Sequence, residues 1–251
     1  MYGNVWEYTD TPSSSEKVFM SALDHPNIRI TGTPSRFSQT HSKTMIVDEK
    51  VAIISTANFC DMGNPLDRDF AIEISEPGVA QELSRVFDKD AANERVVPPI
   101  PGPIVWGPDY QRSTFLKMIN AAQKRLWIYQ QDLQDVSIAR ALAAAAREGV
   151  DTRILMMEMP FGQKVGNRNL PNQRLLVEAG AKVMFMNVNY RTIHAKIMIS
   201  DDEMYIGSCN MYTPSIDETR ELGTLTSDFL HLQKVTKVFE EEWKHSTPLI
   251  L

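Results

Sequence analysis

Two stretches of this chain repeat one pattern: His41-Ser42-Lys43-Thr44-Met45-Ile46-Val47-Asp48, and His194-Ala195-Lys196-Ile197-Met198-Ile199-Ser200-Asp201. Beyond Asp48, after six intervening residues, comes Ser55-Thr56-Ala57-Asn58, and beyond Asp201, after five, comes Gly207-Ser208-Cys209-Asn210. Each Asn is followed 11 residues later by an acid with Arg before it, Arg68-Asp69 and Arg220-Glu221. Self-similarity on this scale marks a duplicated structural unit. Residues two apart on a strand share a face, so His41 and Lys43 point one way, as do Thr56 and Asn58. Asp48-Glu49-Lys50 suits a turn between apolar runs, which makes the block a β-hairpin. With the turn centred between Glu49 and Lys50, residue 41 faces 58 and 43 faces 56. The shorter second turn places His194 near Asn210 and Lys196 near Ser208.

Working outward, strands and helices alternate. Residues 110–124 carry apolar groups at helical spacing and lead into the strand RLWIYQQ. Residues 136–149 form a helix ending at Gly149, followed by the strand TRILMMEM. A helix over 170–179, ending at Gly180, leads into KVMFMNV. Such alternation predicts an α/β fold with a mostly parallel sheet covered on both faces. Five of the 14 prolines fall between Pro98 and Pro108. Proline has no amide donor and disfavours helix before it, so 98–103 reads as an extended linker. It separates 1–97, with the first motif, from 104–251, with the second. The 97-residue portion has 9 basic and 15 acidic residues, and the remainder 17 of each.

The motif residues suit a phosphate ester. Ammonium, hydroxyl and amide donors bind non-bridging oxygens, and a neutral imidazole can attack phosphorus. Two patches supply two histidines on opposite sides of one phosphorus: one attacks in line, the other protonates the leaving oxygen. The lysines supply positive charge, so no metal or other cofactor is expected. No acid occurs in 25–47, 159–177 or 179–200, whereas each carries basic residues, which favours a phosphate-binding cleft.

These residues closely resemble the phospholipase D superfamily, whose mark is a duplicated H-x-K-x4-D followed by G-S-x-N. The likeness covers 16–90 and 104–245 and looks most like bacterial cardiolipin-synthase-like members. Two departures stand out: the second motif is one residue short before Gly207, and Ser55-Thr56 replaces Gly-Ser. The resemblance implies a duplicated α-β-α sandwich whose halves share one active site. It implies His41 as nucleophile and His194 as general acid, with Lys43, Lys196, Asn58, Asn210, Thr56 and Ser208 on the phosphate. Asp69 and Glu221 would orient the histidines and raise their basicity. Asp48 and Asp201, at turns, would hold the hairpins. The loop from Phe161 to Pro171 follows a strand end, where open α/β sheets place ligands. Its Lys164 and Arg168 would select a head group or second phosphate, with an ordinary exposed loop the equal alternative.

The implied activity is hydrolysis or transfer of phosphatidyl groups of phospholipids through a phosphohistidine, at a membrane surface. A DNA or RNA phosphodiesterase is the alternative, less favoured by the net charge of −6 because nucleic-acid backbones reward many basic contacts. A non-catalytic lipid-binding or scaffold module is the third reading.

The first motif has only 40 residues before its His, so the first half is expected to lack an opening strand–helix–strand portion, as a natural short form or a fragment. That would leave apolar surface for another chain or a dimer contact. Residues 1–15 end in a Ser-rich stretch read as mobile. Cys60 and Cys209 are expected as free thiols near the site, with their pairing left open. Trp6, Trp106, Trp127 and Trp243 are read as core or interface, and Glu240-Glu241-Glu242 as a solvated helix face. With 43% hydrophobic residues the composition is that of a folded globular protein. It has no signal peptide or membrane-length apolar run, so a cytoplasmic or peripheral membrane location is expected.

Overall fold

The computed structural model describes residues 25–58, 67–97, 102–160, 162–187 and 192–250. The first motif copy lies in strands β1 (Gln39–Thr40), β2 (Thr44–Val47), β3 (Val51–Ser55), β4 (Asp67–Arg68) and β5 (Ala71–Ile74), followed by helix α1 (Val79–Ala91). Next come β6 (Ile104–Trp106), α2 (Gln111–Ala121), β7 (Arg125–Tyr129), α3 (Val136–Arg147), β8 (Asp151–Met156), α4 (Leu170–Glu178) and β9 (Lys182–Met186). The second copy occupies β10 (Thr192–Ile193), β11 (Ile197–Ser200), β12 (Glu203–Gly207), α5 (Thr213–Asp217), β13 (Thr219–Arg220) and β14 (Leu222–Thr226). Helix α6 (Phe229–Lys244) and strand β15 (Ser246–Pro248) close the chain.

Local chemistry sets these limits. Asp135 and Asp228 start α3 and α6 by accepting from the amides of Ile138 and His231. Gly149, at φ +93°, ends α3 in a left-handed turn in which Gly149 N–H bonds Ala146 O and Val150 N–H bonds Ala145 O. That paired closure favours glycine because an L side chain is strained there.

The larger sheet has the order β15-β9-β8-β7-β11-β12-β14-β6. Only β7–β8 and β8–β9 are parallel in it, which corrects the expectation of a mostly parallel sheet. The cause is local: the histidine hairpin and the strand after it form an antiparallel meander inserted beside β7. Alternate side chains of β7 split between two cores. Leu126 and Ile128 pack under α2, α3 and α4, where the alanine run of α3 permits close approach. Trp127 and Tyr129 face α6. The α/β class and the α-β-α layering therefore hold here. Trp106 and Trp127 are buried and Trp243 packs against the same core, as read; Trp6 lies outside the described residues.

The smaller sheet, β2-β3-β5, is covered differently. Its inner face (Ala52, Ile54, Ile72, Ile74) joins α1 and the α6 side of the larger sheet in one continuous core. Its outer face carries Met45 and Val47, both exposed. The sheets are also joined by two short parallel pairings, β1 with β13 and β10 with β4. The Ser-rich segment, Cys60 and linker residues 98–101 lie outside the described residues.

Candidate active site

The two short cross-pairings place the histidines. Arg220 O accepts from the amides of His41 (2.9 Å) and Ser42 (3.2 Å), and Arg68 O from those of His194 (3.3 Å) and Ala195 (2.9 Å). Each histidine is thus hung on the backbone of the other motif copy, beside that copy's acid. The rings follow. His41 Nδ1 lies 2.9 Å from Glu221 Oε1, and His194 Nδ1 lies 3.0 Å from Asp69 Oδ1. Every acid therefore serves the histidine of the opposite copy. A carboxylate on Nδ1 holds that proton and leaves Nε2 as the atom for chemistry.

The hairpin register differs by one residue from the expectation. Val47 pairs Val51, and Ser55 N–H bonds Lys43 O, so Lys43 stands opposite Ser55, not Thr56. The cause is a three-residue turn in which Asp48 and Glu49 both take positive φ, 52° and 54°. In the second copy Ser200 pairs Glu203 across a two-residue turn, and Gly207 N–H bonds Lys196 O.

The register sends the motif hydroxyls to the acids. Thr56 Oγ1 donates to Asp69 Oδ1 at 2.6 Å, and Ser208 Oγ donates to Glu221 Oε2. Both hydroxyls are fully buried, so the structure engages them as holders of the acids and not as free phosphate contacts. Glu221 also accepts from Ser215 Oγ at 2.5 Å, a residue that sequence reading missed. Gly107 crosses directly against this acid, and a Cβ there would lie 2.8 Å from Glu221 Cβ.

The lysines are buried beside these pairs. Lys43 Nζ donates to His41 O at 2.5 Å, and Lys196 Nζ donates to His194 O. Burial lowers Lys43 to about 8, partly offset by Glu221 and Asp69. Burial lowers Lys196 further, to about 7; Lys43 adds to the fall, while Asp69 and Glu221 oppose it. Both lysines feel both acids, so the two copies converge on one basic centre. An anion there would restore their charge.

Asn210 Oδ1 is buried without a partner among the described residues, while Asn58 is exposed. Asp201 accepts from the amides of Gln123, Lys124 and Arg125, tying the α2–β7 turn to the hairpin as expected. Burial pushes its carboxyl up, and those amides more than reverse this. Asp48 sits exposed at its own turn. Lys164 and Arg168 are both exposed on the loop after β8.

Two further residues escaped the sequence. Asp132, just past β7, is buried and raised by desolvation, against the pull of Gln134, Arg168 and Lys196. Its position at a strand end was the available signal. Glu242 is no solvated residue: it is buried, and accepts from Arg68 Nε at 2.7 Å and Tyr129 Oη at 2.5 Å. Glu240 and Glu241 are exposed as read. The Cys209 thiol is buried, and burial first, then Glu221, pushes it well up, so it is inert. Among the described residues no group of three or more His, Cys, Asp and Glu is placed to hold a metal ion.

A family model described as cardiolipin synthase, PLD-like domain, matches residues 11–91 and 115–243. The chain is 31% identical over 159 residues to a cardiolipin synthase of Halalkalibacterium halodurans, covering 57% of this chain and 31% of that protein. It is 29% identical over 142 residues to one of Listeria welshimeri, covering 54% and 29%. The chain thus spans under a third of the length of these relatives. Phosphatidylserine synthase of Haemophilus influenzae superposes with a TM-score of 0.67 at 13% identity, covering 94% of this chain and 69% of that one. Nuc of Salmonella typhimurium, a phospholipase D family member, has a TM-score of 0.53 at 18% identity, covering 59% of this chain and 97% of that one. The fold is shared with both. The chain belongs to the cardiolipin synthase, PLD-like domain family, within the phospholipase D superfamily.

Proposed function

We propose that this chain transfers the phosphatidyl group of a phospholipid to an alcohol or to water through a phosphohistidine. The observation that carries the reading is the pair of crossed histidine–acid contacts around one buried pair of lysines. His41 Nε2 attacks phosphorus while the bond to the leaving oxygen breaks, and His194 Nε2–H gives that oxygen its proton. His194 then takes the proton of the incoming hydroxyl as that oxygen attacks, and His41 leaves. Lys43, Lys196, Asn58 and Asn210 hold the non-bridging oxygens.

The unequal acids support this division of roles. Glu221 is fully buried and receives two hydroxyls besides His41, whereas Asp69 is partly exposed and receives one besides His194. The tighter clamp suits the group that forms the covalent bond. The freer one suits a proton carrier.

Phospholipid as substrate rests on family membership. The net charge of −6 supports it over a polymeric phosphate. Among the described residues no helix is long and apolar enough to cross a membrane. The test sets phosphatidylglycerol micelles beside single-stranded DNA and RNA. Lipid turnover with an acid-labile phosphoryl group on the wild type, absent from His41→Ala, is expected. Salt-sensitive nucleic-acid cleavage without lipid turnover would replace lipid by nucleic acid. Lipid binding without any trapped intermediate would reduce the chain to a binding module.

A further inference from the structure

The arginine before each acid is bound to the opposite motif copy twice. We infer that Arg68 and Arg220 are positioning residues: crossed straps that set the acids against the histidines by fastening each copy to the last helix of the other. The inference rests on the proposed reaction for its kinetic consequence alone.

Arg220 is 3% exposed. Its carbonyl holds the His41 amide, and its guanidinium reaches Asp90 on α1 through Nε (2.8 Å) and Nη2 (3.2 Å). Nη1 bonds Gly107 O at 2.9 Å and Asp109 at 3.2 Å, and the guanidinium carbon stands 4.2 Å over the Phe37 ring. Arg68 is built alike in the other direction. Its carbonyl holds His194 and Ala195, and Nε bonds Glu242 on α6, which Tyr129 Oη also bonds. Asp90 and Glu242 lie 152 residues apart, as do the two arginines and the two acids, so the device was duplicated whole.

Its geometry explains a difficulty of the site. Each acid lies next in sequence to an arginine whose carbonyl already carries the partner histidine. A small rotation of that segment would move ring and carboxylate apart together. The planar guanidinium of Arg220, forked onto Asp90 and stacked on Phe37, resists rotation in a way that a lysine would not. Misplacement of about 1 Å can cost on the order of a hundredfold in rate.

The test compares Arg220→Gln, Arg220→Lys and Arg68→Gln with Arg85→Gln, whose exposed pair with Glu82 lies on α1 away from the site. Turnover of a phosphodiester with a good leaving group is measured beside the slowly exchanging Nδ1 proton signals of His41 and His194. Arg220→Gln is expected to lose the His41 signal and keep that of His194; Arg68→Gln should do the reverse. In each, kcat should fall about tenfold or more with KM within about threefold, Arg220→Lys should not restore it, and Arg85→Gln should match the wild type. Should Arg220→Gln not fold, Arg68→Gln, at a more exposed strap, decides alone. Folded variants that retain both proton signals and wild-type kcat would overturn the inference. If the wild type turns over no phosphodiester, the proposed function has failed, and the proton signals still decide the straps.

Discussion

Phe239 and Phe87 stand 152 residues apart, at corresponding places on the last helix of each half. Phe239 is wholly buried, stacked on Trp127 (5.3 Å) and Trp243 (5.5 Å) and edge-on to Tyr129 (5.0 Å). Phe87 is 62% exposed. The difference is β7: in the second half it runs beside the histidine strand β11 and brings Trp127 and Tyr129 over the helix. Among the described residues no strand pairs β2 in that place. The same contrast runs through the sheets, since β11 is buried at every residue while β2 alternates half-buried and exposed. Among the described residues the two halves thus hold equal shares of the chemistry and unequal shares of the core.

The contrast can be broken at several levels. The largest effect is expected at the histidines, where the halves should differ in kind. With an activated leaving group, His41→Ala should form no covalent intermediate. His194→Ala should form it on His41 and release it on the order of a thousandfold more slowly, since only deprotonation of the incoming hydroxyl is lost. Quench-flow into alkaline denaturant, which preserves the phosphorus–nitrogen bond, reads this. Equal loss of labelling in both variants would remove the asymmetry of roles.

Packing comes next. Phe239→Ala should cost about 3–5 kcal/mol of stability in denaturant unfolding, as a large aromatic lost from a filled core. Phe87→Ala should stay within about 0.5 kcal/mol, as a surface change. A comparable cost at both would mean that Phe87 is covered in solution.

The smallest effect is a proton. With Lys43 at about 8 and Lys196 at about 7, both lowered first by burial, much of the lysine charge is absent at pH 8. Binding inorganic phosphate at that pH should therefore take up about one proton, read by calorimetry in two buffers, and the uptake should vanish near pH 5. Lys196→Met should remove most of it. The linkage sign follows. Unfolded lysines keep their protons up to 10.5, so the anion-free protein should gain stability as pH rises from about 7 toward 10 and lose it as pH falls through the folded values.

Much of the site is written in the repeat. Both histidines, both lysines, the acids and the helix ends at Gly149 and Gly180 follow from spacing and composition. Which acid meets which histidine does not. Asp69 and Glu221 follow their own Asn by the same interval, so pairing within a copy and between copies look alike in sequence, and only the short cross-pairings decide. The hairpin register turned on two positive-φ residues at Asp48 and Glu49, a choice that no composition rule makes. Glu242 was hidden among glutamates because helical phase, which turns one of three inward, was outweighed by their charge.

The crossing itself is the central claim, and histidine Nδ1 proton signals test it most directly. Glu221→Gln should weaken the exchange protection of the His41 Nδ1 proton and leave His194 untouched. Asp69→Asn should do the opposite. If Glu221→Gln instead releases the His194 proton while sparing His41, each acid serves its own half, and the crossed site is wrong.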